Sequence, residues 1–268
     1  PFSSQMTSYL KRKGKIDCEI ATILTDFAIH EQWTIEHENI NYFFVSNDDM
    51  KNDLIKCGVD SSKIYVTGIP LSNRFFESFD KEKIYENFNL DKNKKLILFF
   101  GGGEFGLGKE KTVKILESLI NDVPEYQIVA IAGKNEKMKL AFEEIVNKLN
   151  ANNRVRVLPF TDKVPELMSI SNVVVTKPGG LTTTESLAME LPIIVINPIP
   201  GQEEENANFL VNKNVAVWIK KKDNPDEIIL KLFSSPEKLK SMKNSTRILA
   251  KKNSTKDICD ILLQKRES

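Results

Sequence analysis

Val173-Val174-Val175-Thr176-Lys177-Pro178-Gly179-Gly180-Leu181-Thr182-Thr183-Thr184-Glu185 is the run that decides the fold. Val173 to Thr176 is a β-branched stretch without polar alternation, the mark of a parallel strand covered on both faces. Pro178-Gly179-Gly180 breaks it, and residues 182–190 have helical spacing. Strand, glycine turn and helix in that order are half of a βαβ unit. In open α/β sheets, ligands bind where a strand's carboxyl end meets such a turn. Glycines let a phosphate approach the backbone, and a helix N-terminus offers free N–H groups. With three Thr hydroxyls added, the chemistry suits a diphosphate. Glu185 lies one turn inside, where a carboxylate can accept from two ribose hydroxyls. Thr182-x-x-Glu185 is also a capping box, and on spacing alone neither role is preferred.

The same grammar runs through the rest of the chain. Candidate strands are 19–25, 42–46, 64–67, 95–100, 127–132, 155–158, 173–176, 193–196 and 215–218. Helical patterns fill 109–121, 134–150, 164–171 and 182–190, and 236–265 reads as one or two amphipathic helices. Six strands follow residue 90 and suffice for a complete α/β domain, whereas three precede residue 70 and do not. Gly68-Ile69-Pro70-Leu71-Ser72 is a turn-rich break, followed by a short helix and loop over 79–91. The expected class is α/β with two Rossmann-like doubly wound domains, the N-terminal one incomplete. The expected parts are 1–72, 73–240 and a terminal helix, 241–268.

Composition narrows the function. The chain has 268 residues, 38 Lys+Arg against 37 Asp+Glu, two His and three Cys. A net charge of +1 is no global attractant for nucleic acid. The total divides unevenly: net −3 over residues 1–70, −3 over 71–210 and +7 over 211–268. The basic tail is a solvated helical face or a contact for an anionic membrane surface. No run of 18 apolar residues exists, so no segment reads as a membrane-spanning helix. Cys18, Cys57 and Cys259 have no disulfide or metal spacing, which fits a reducing cytoplasm. Pro1-Phe2-Ser3 is neither an initiator start nor a targeting pattern; Pro1 opens a helix to about Gly14.

Three further motifs carry candidate chemistry. Gly101-Gly102-Gly103-Glu104-Phe105-Gly106-Leu107-Gly108-Lys109 lies between a strand and a helix. It matches a dinucleotide fingerprint at Gly101, Gly103 and Gly106. As an NTPase phosphate loop it fails, because Glu110 stands where Ser or Thr must hold magnesium. A glycine-rich turn without ligand is the plain alternative. Pro198-Ile199-Pro200-Gly201-Gln202-Glu203-Glu204-Glu205-Asn206-Ala207 ends a strand and opens a helix. Its acids complement a helix dipole, and Gln202 and Glu203 can also meet sugar hydroxyls. Leu24-Thr25-Asp26-Phe27-Ala28-Ile29-His30-Glu31-Gln32-Trp33 offers an acid, a base and a stacking ring to an acceptor.

These segments, in this order and spacing, resemble the GT-B glycosyltransferases that use UDP-sugars. The similarity is to the monogalactosyldiacylglycerol synthase and processive diacylglycerol glucosyltransferase family. It rests on Thr25-Asp26-Phe27 with His30 and Trp33, the 101–108 run, Leu158-Pro159-Phe160-Thr161-Asp162, the 177–185 run and Pro200-Gly201-Gln202-Glu203. The resemblance implies uracil at Phe160 and Thr161, ribose on Glu185, and diphosphate at Gly179, Gly180, Thr182 and Thr183. Gly102, Gly103 and Phe105 would face the sugar phosphate, Gln202 and Glu203 the sugar hydroxyls. Asp26 and His30 are the catalytic candidates, on the acceptor side with Trp33. In that family a strand, a Gly-rich loop and a catalytic His come earlier. None precedes Pro1, so the chain is expected to lack its N-terminal portion and that base.

The implied reaction is inverting transfer of glucose or galactose from a UDP-sugar to diacylglycerol, at the inner face of the cell membrane. Neither cofactor nor metal is expected, since no Asp-x-Asp pair stands near the diphosphate loop. Lys11-Arg12-Lys13-Gly14-Lys15 and the basic tail are candidate headgroup contacts. The alternatives are a UDP-N-acetylglucosamine transferase to a lipid carrier, an inactive UDP-binding domain and a dinucleotide oxidoreductase. The sugar, the number of sugars added and the oligomeric state are not legible.

Overall fold

In a computed structural model, residues 1–101 and 108–264 are described. The first unit contains α1 (Phe2–Arg12), β1 (Ala21–Ile23), β2 (Tyr42–Val45), α2 (Asp48–Lys56) and β3 (Ile64–Val66). The chain then passes through α3 (Lys81–Asn87), β4 (Lys95–Phe100), α4 (Lys109–Asp122), β5 (Tyr126–Ile131), α5 (Glu136–Lys148) and β6 (Val155–Leu158). It continues through α6 (Val164–Ile170), β7 (Val173–Thr176), α7 (Gly180–Ala188), β8 (Ile193–Ile196), α8 (Gln202–Asn212) and β9 (Ala216–Ile219). Three helices close it: α9 (Pro225–Phe233), α10 (Pro236–Leu249) and α11 (Ser254–Gln264). Every strand expected from sequence is present. The stretch expected as one or two terminal helices is two, because the chain leaves the helix at Ala250 (φ −63°, ψ 129°).

The strands form two parallel sheets, ordered β1-β2-β3 and β6-β5-β4-β7-β8-β9. In the larger sheet, alternate residues of one strand serve opposite layers. Ile97 and Phe99 pack with α4 and α5, whereas Leu96 and Leu98 pack with Leu167 and Met168 of α6. Both faces are therefore apolar, which is why these strands read as unbroken hydrophobic runs. Phe99 meets Phe142 of α5 edge to face, with centroids 5.6 Å apart.

The smaller sheet obtains its second layer from the far end of the chain. Phe43 and Val45 pack with Met50 and Leu54 of α2. On the other face, Tyr42 and Phe44 pack with Ile258 of α11. Arg247 and Lys252 fasten the approach to α11 by pairing with Glu190, at 2.7 and 3.4 Å. Phe27 leaves the first unit and stacks on Phe209 of α8, with centroids 5.7 Å apart.

At Gly180 the two units meet backbone to backbone. A Cβ built there would lie 1.7 Å from the carbonyl oxygen of Thr25. Backbone cannot rotate away as a side chain can, so only glycine permits this approach. At Gly179, the neighbouring position, a Cβ meets nothing within 4 Å. Gly180→Ala is expected to destabilise the fold by about 1–3 kcal/mol, the usual cost of overpacking. Gly179→Ala is expected to leave stability near the native value. Urea denaturation of both variants checks this, and equal midpoints would refute the close contact.

Candidate functional site

Chain order places the site in the larger sheet. From β4 the chain moves outward to β5 and β6, then returns to β7 on the other side of β4 and continues to β8 and β9. The switch point is the crevice between the carboxyl ends of β4 and β7, where ligands bind in open α/β sheets. A cavity of about 220 Å³ lies there, lined by Phe100, Ile131, Gly133, Thr176, Lys177, Gly179 and Thr182. The run that decides the fold thus also supplies the floor of this cavity.

The helices around it start differently from most others. Side-chain oxygens of Asn47, Asp80, Asn135, Asn224 and Ser235 cap α2, α3, α5, α9 and α10. Helices α4, α7 and α8 follow β4, β7 and β8, start from Gly108, Gly179 and Gly201, and carry no side-chain cap. Gly201 has φ +92°, a conformation that favours glycine. Helix α6 also starts without a side-chain cap, but Pro165 replaces one of its early N–H groups. An uncapped N-terminus leaves N–H donors and a partial positive charge for an anion. Lys177 adds a full charge at the cavity wall, and among the described residues no ion pair engages it.

The capping-box reading of Thr182 and Glu185 does not hold. The helix begins earlier, with Gly179 as its N-cap, so Glu185 is too far inside to reach the cap. Its carboxylate is half-buried, and burial pushes its pKa above the ordinary glutamate value. Among the described residues it meets no cation and no hydrogen-bond donor. A desolvated, unpartnered carboxylate can accept from ligand hydroxyls. Thr182 lines the cavity, whereas Thr183 is fully buried with its hydroxyl unpartnered among the described residues.

Opposite this turn stand Asp26 and Phe27. The wholly buried Asn206 of α8 joins the three segments. Its Oδ1 accepts from Phe27 N at 2.9 Å, and its Nδ2 donates to Asp26 Oδ1 at 3.0 Å and to Pro178 O at 3.1 Å. Burial raises the Asp26 pKa, and the Asn206 bond pulls it back in part. Ser46 and Asn47 hold the same loop, donating to the carbonyls of Asp26 at 2.7 Å and Phe27 at 2.9 Å. Gln202 Nε2 donates to Ala28 O at 2.8 Å, and Glu203 Oε2 accepts from Ile199 N at 2.6 Å. Both side chains therefore have protein partners, and the Oε1 atoms of Gln202 and Glu203 are left to accept from another donor.

The other expected site residues are dispersed. His30 is exposed, and its Nδ1 accepts from Gln32 N at 3.2 Å, capping a short 3₁₀ turn. Trp33 is partly buried against the core of the first sheet. Phe160 is exposed, with Lys134 Nζ 5.8 Å from its ring centroid. Thr161 Oγ1 accepts from Lys163 N at 3.1 Å. Gly102, Gly103 and Phe105 lie outside the described residues. Asn206 and Lys177 were absent from the sequence-derived site. Their only signal was position, inside motifs already singled out, because a buried bridging amide looks like any surface Asn in sequence.

A model for the Monogalactosyldiacylglycerol (MGDG) synthase family matches residues 1–71, and one for Glycosyl transferases group 1 matches residues 80–250. The processive diacylglycerol beta-glucosyltransferase of Bacillus licheniformis is 34% identical over 260 residues, covering 97% of this chain and 66% of that protein. The Staphylococcus epidermidis protein of the same name is 35% identical over 267 residues, covering 98% and 65%. The chain thus spans slightly less than two thirds of the length of these relatives. Among solved structures, UDP-GlcNAc 2-epimerase from Neisseria meningitidis bound to UDP-GlcNAc superposes with a TM-score of 0.72 at 19% identity, covering 97% of this chain and 73% of that one. MurG of Acinetobacter baumannii superposes at 0.69 with 17% identity, covering 98% and 72%. At such identities the likeness concerns the fold alone, and that fold is the GT-B type. The family match extends from α3 to the end of α10, across the whole larger sheet and its switch-point cavity: the chain belongs to the Glycosyl transferases group 1 family.

Proposed function

We propose that this chain holds the donor site and part of the acceptor side of an inverting glycosyltransferase, which moves glucose or galactose from a UDP-sugar to diacylglycerol. The observation that carries this reading is the uncapped start of α7 at the switch-point cavity, with Lys177 beside it and Glu185 one turn inside. The N–H groups and Lys177 meet the diphosphate, and Glu185 takes the ribose hydroxyls. The exposed Phe160 lies beyond β6, on the uracil side. The acceptor class comes from the relatives, which are named as diacylglycerol beta-glucosyltransferases.

The acceptor oxygen attacks the anomeric carbon while the bond from that carbon to the diphosphate breaks. The hydroxyl proton goes to a base, and UDP leaves with the bonding pair. Charge grows on the leaving diphosphate, where preorganised dipoles stabilise the transition state most. Under this reading no metal is called for, because the helix start and Lys177 supply the positive potential. General-base assistance contributes about 100- to 10,000-fold. Asp26, held by Asn206, is the carboxylate assigned to the acceptor side in this reading.

A lipid acceptor demands access to a bilayer, and no helix among the described residues is long and apolar enough to span one. The reading is peripheral docking on the inner face of the membrane. Phe2, Met6 and Tyr9 of α1 are exposed at helical spacing, and Lys11, Arg12, Lys13 and Lys15 follow them. An apolar stripe ending in cations suits an anionic interface.

Two experiments test the donor site. Glu185→Ala is expected to weaken UDP binding about 10-fold or more in calorimetry, the scale of a lost charged hydrogen bond. The same change at Glu190, which pairs with Arg247 and Lys252, is expected to leave UDP affinity near native. Equal, small effects would remove the ribose role. Transfer of labelled sugar to diacylglycerol vesicles from a panel of UDP-sugars reads the activity. A chain that binds UDP without transferring is a binding module, and transfer only from UDP-N-acetylglucosamine to a lipid carrier replaces the acceptor reading.

The raised Glu185 pKa has a signed consequence. Its folded value exceeds its unfolded one, so the charged form opposes folding once pH rises above the unfolded pKa. Stability is fully present below that value and is lost as pH rises through the folded pKa. Glu185→Gln is therefore expected to raise the thermal midpoint of the UDP-free chain at neutral pH, with no gain in acid, while weakening UDP binding. A gain independent of pH would refute the desolvation account.

A further inference from the structure

We propose that Asn206 is a positioning residue, its side-chain amide acting as the spacer that holds the Asp26 carboxylate and the Pro178–Gly180 turn at one separation across the cleft. The inference rests on the donor reading above and adds to it a residue that touches neither substrate. Asn206 is wholly buried and uses both ends of its amide. Its orientation is forced. Phe27 N is a donor and must meet Oδ1, so Nδ2 must face the carboxylate and the carbonyl. A flipped amide would place two donors together and two acceptors together. The three partners come from two places, the acceptor-side loop (Asp26 and Phe27) and the turn after β7 (Pro178), while Asn206 itself stands on α8.

The surroundings supply no substitute for this spacer. Asp26 Oδ1 has Asn206 as its side-chain partner among the described residues, and burial without it favours the neutral acid. Ser46 and Asn47 hold only backbone carbonyls of the loop, and Gln202 holds that of Ala28. They fix where the loop runs without fixing where its carboxylate points. On the other side, Gly180 has no side chain, and its backbone lies against Thr25. Loss of the spacer therefore leaves Asp26 unaimed and the Pro178 carbonyl unpaired, so one change reaches both sides of the cleft.

The test uses the full chain and two variants. Asn206→Asp keeps the shape and the acceptor for Phe27 N but loses both donors, and it sets a second carboxylate beside Asp26. Asn206→Ala removes the amide altogether. The Asp26 carboxyl titration is read by carbon NMR, assigned by its loss in Asp26→Asn, and UDP affinity by calorimetry. In both variants the Asp26 midpoint is expected above native, because a lost donor or an added carboxylate favours the protonated acid. UDP affinity is expected to fall about fivefold, the lower end of ordinary site-to-site coupling. A role in stability alone would lower the thermal midpoint and leave the Asp26 titration of the folded chain unmoved. Should Asn206→Ala fail to fold, Asn206→Asp decides. An unmoved Asp26 midpoint overturns the proposal, as does a raised midpoint with native UDP affinity. If the native chain itself ignores UDP, the donor reading falls and this inference falls with it. If the native chain binds UDP and the variants bind it equally, only this inference falls.

Discussion

The two units meet backbone against backbone: the Thr25 carbonyl lies against Gly180, with the amide of Asn206 bridging the segments on either side. The strands of the larger sheet are covered on both faces, and the smaller sheet packs α2 on one face and α11 on the other. The contact at Gly180 brings a loop from residues 25–28 to the start of α7, nearly the whole larger sheet away in sequence. Phe27 on Phe209 adds apolar burial beside it, and Gln202 adds a second bond to the loop.

The same geometry explains why the candidate site is assembled from glycine and threonine rather than from charge. The helices that follow β4, β7 and β8 begin without side-chain caps, and that deficit leaves their N–H groups to a ligand. Among the described residues Glu185 is half-buried without a partner, where desolvation works against its charged form. Proteins retain such costs where a ligand repays them. The overall charge of +1 is thus no obstacle to a donor with a charged diphosphate. Local dipoles and Lys177 act over a few ångströms, where the global balance is irrelevant.

The family match and the fold agree in their reach. The Glycosyl transferases group 1 model covers the whole larger sheet, and the MGDG synthase model covers the first unit. These correspond to the two sheets. Because α11 packs on the smaller sheet, the first unit is built from two separate stretches of chain, whereas the larger sheet and its helices run continuously from α3 to α10.

Much of the fold was legible in sequence. Buried parallel strands leave unbroken runs of Val, Ile, Leu and Phe, so most strands could be read from the sequence on that ground, whereas β1 (Ala21–Ile23) is short and exposed at both ends. Glycine turns marked the carboxyl edge for the same reason, since a phosphate-sized ligand needs exposed backbone there. The site was legible only where its residues adjoin those turns: Gly179, Gly180, Thr182 and Glu185. The sequence could not decide between a cap and a free carboxylate at Glu185, because that turns on where the helix begins, and α7 starts two residues earlier than the spacing suggested. Nor could it distinguish His30, engaged in a local turn, from Asp26, held across the cleft. Sheet order, the switch point between β4 and β7 and the bridge through Asn206 belong to tertiary structure alone. A hydrogen bond between residues 26 and 206 leaves no periodicity, and only packing brings its two ends within 3.0 Å.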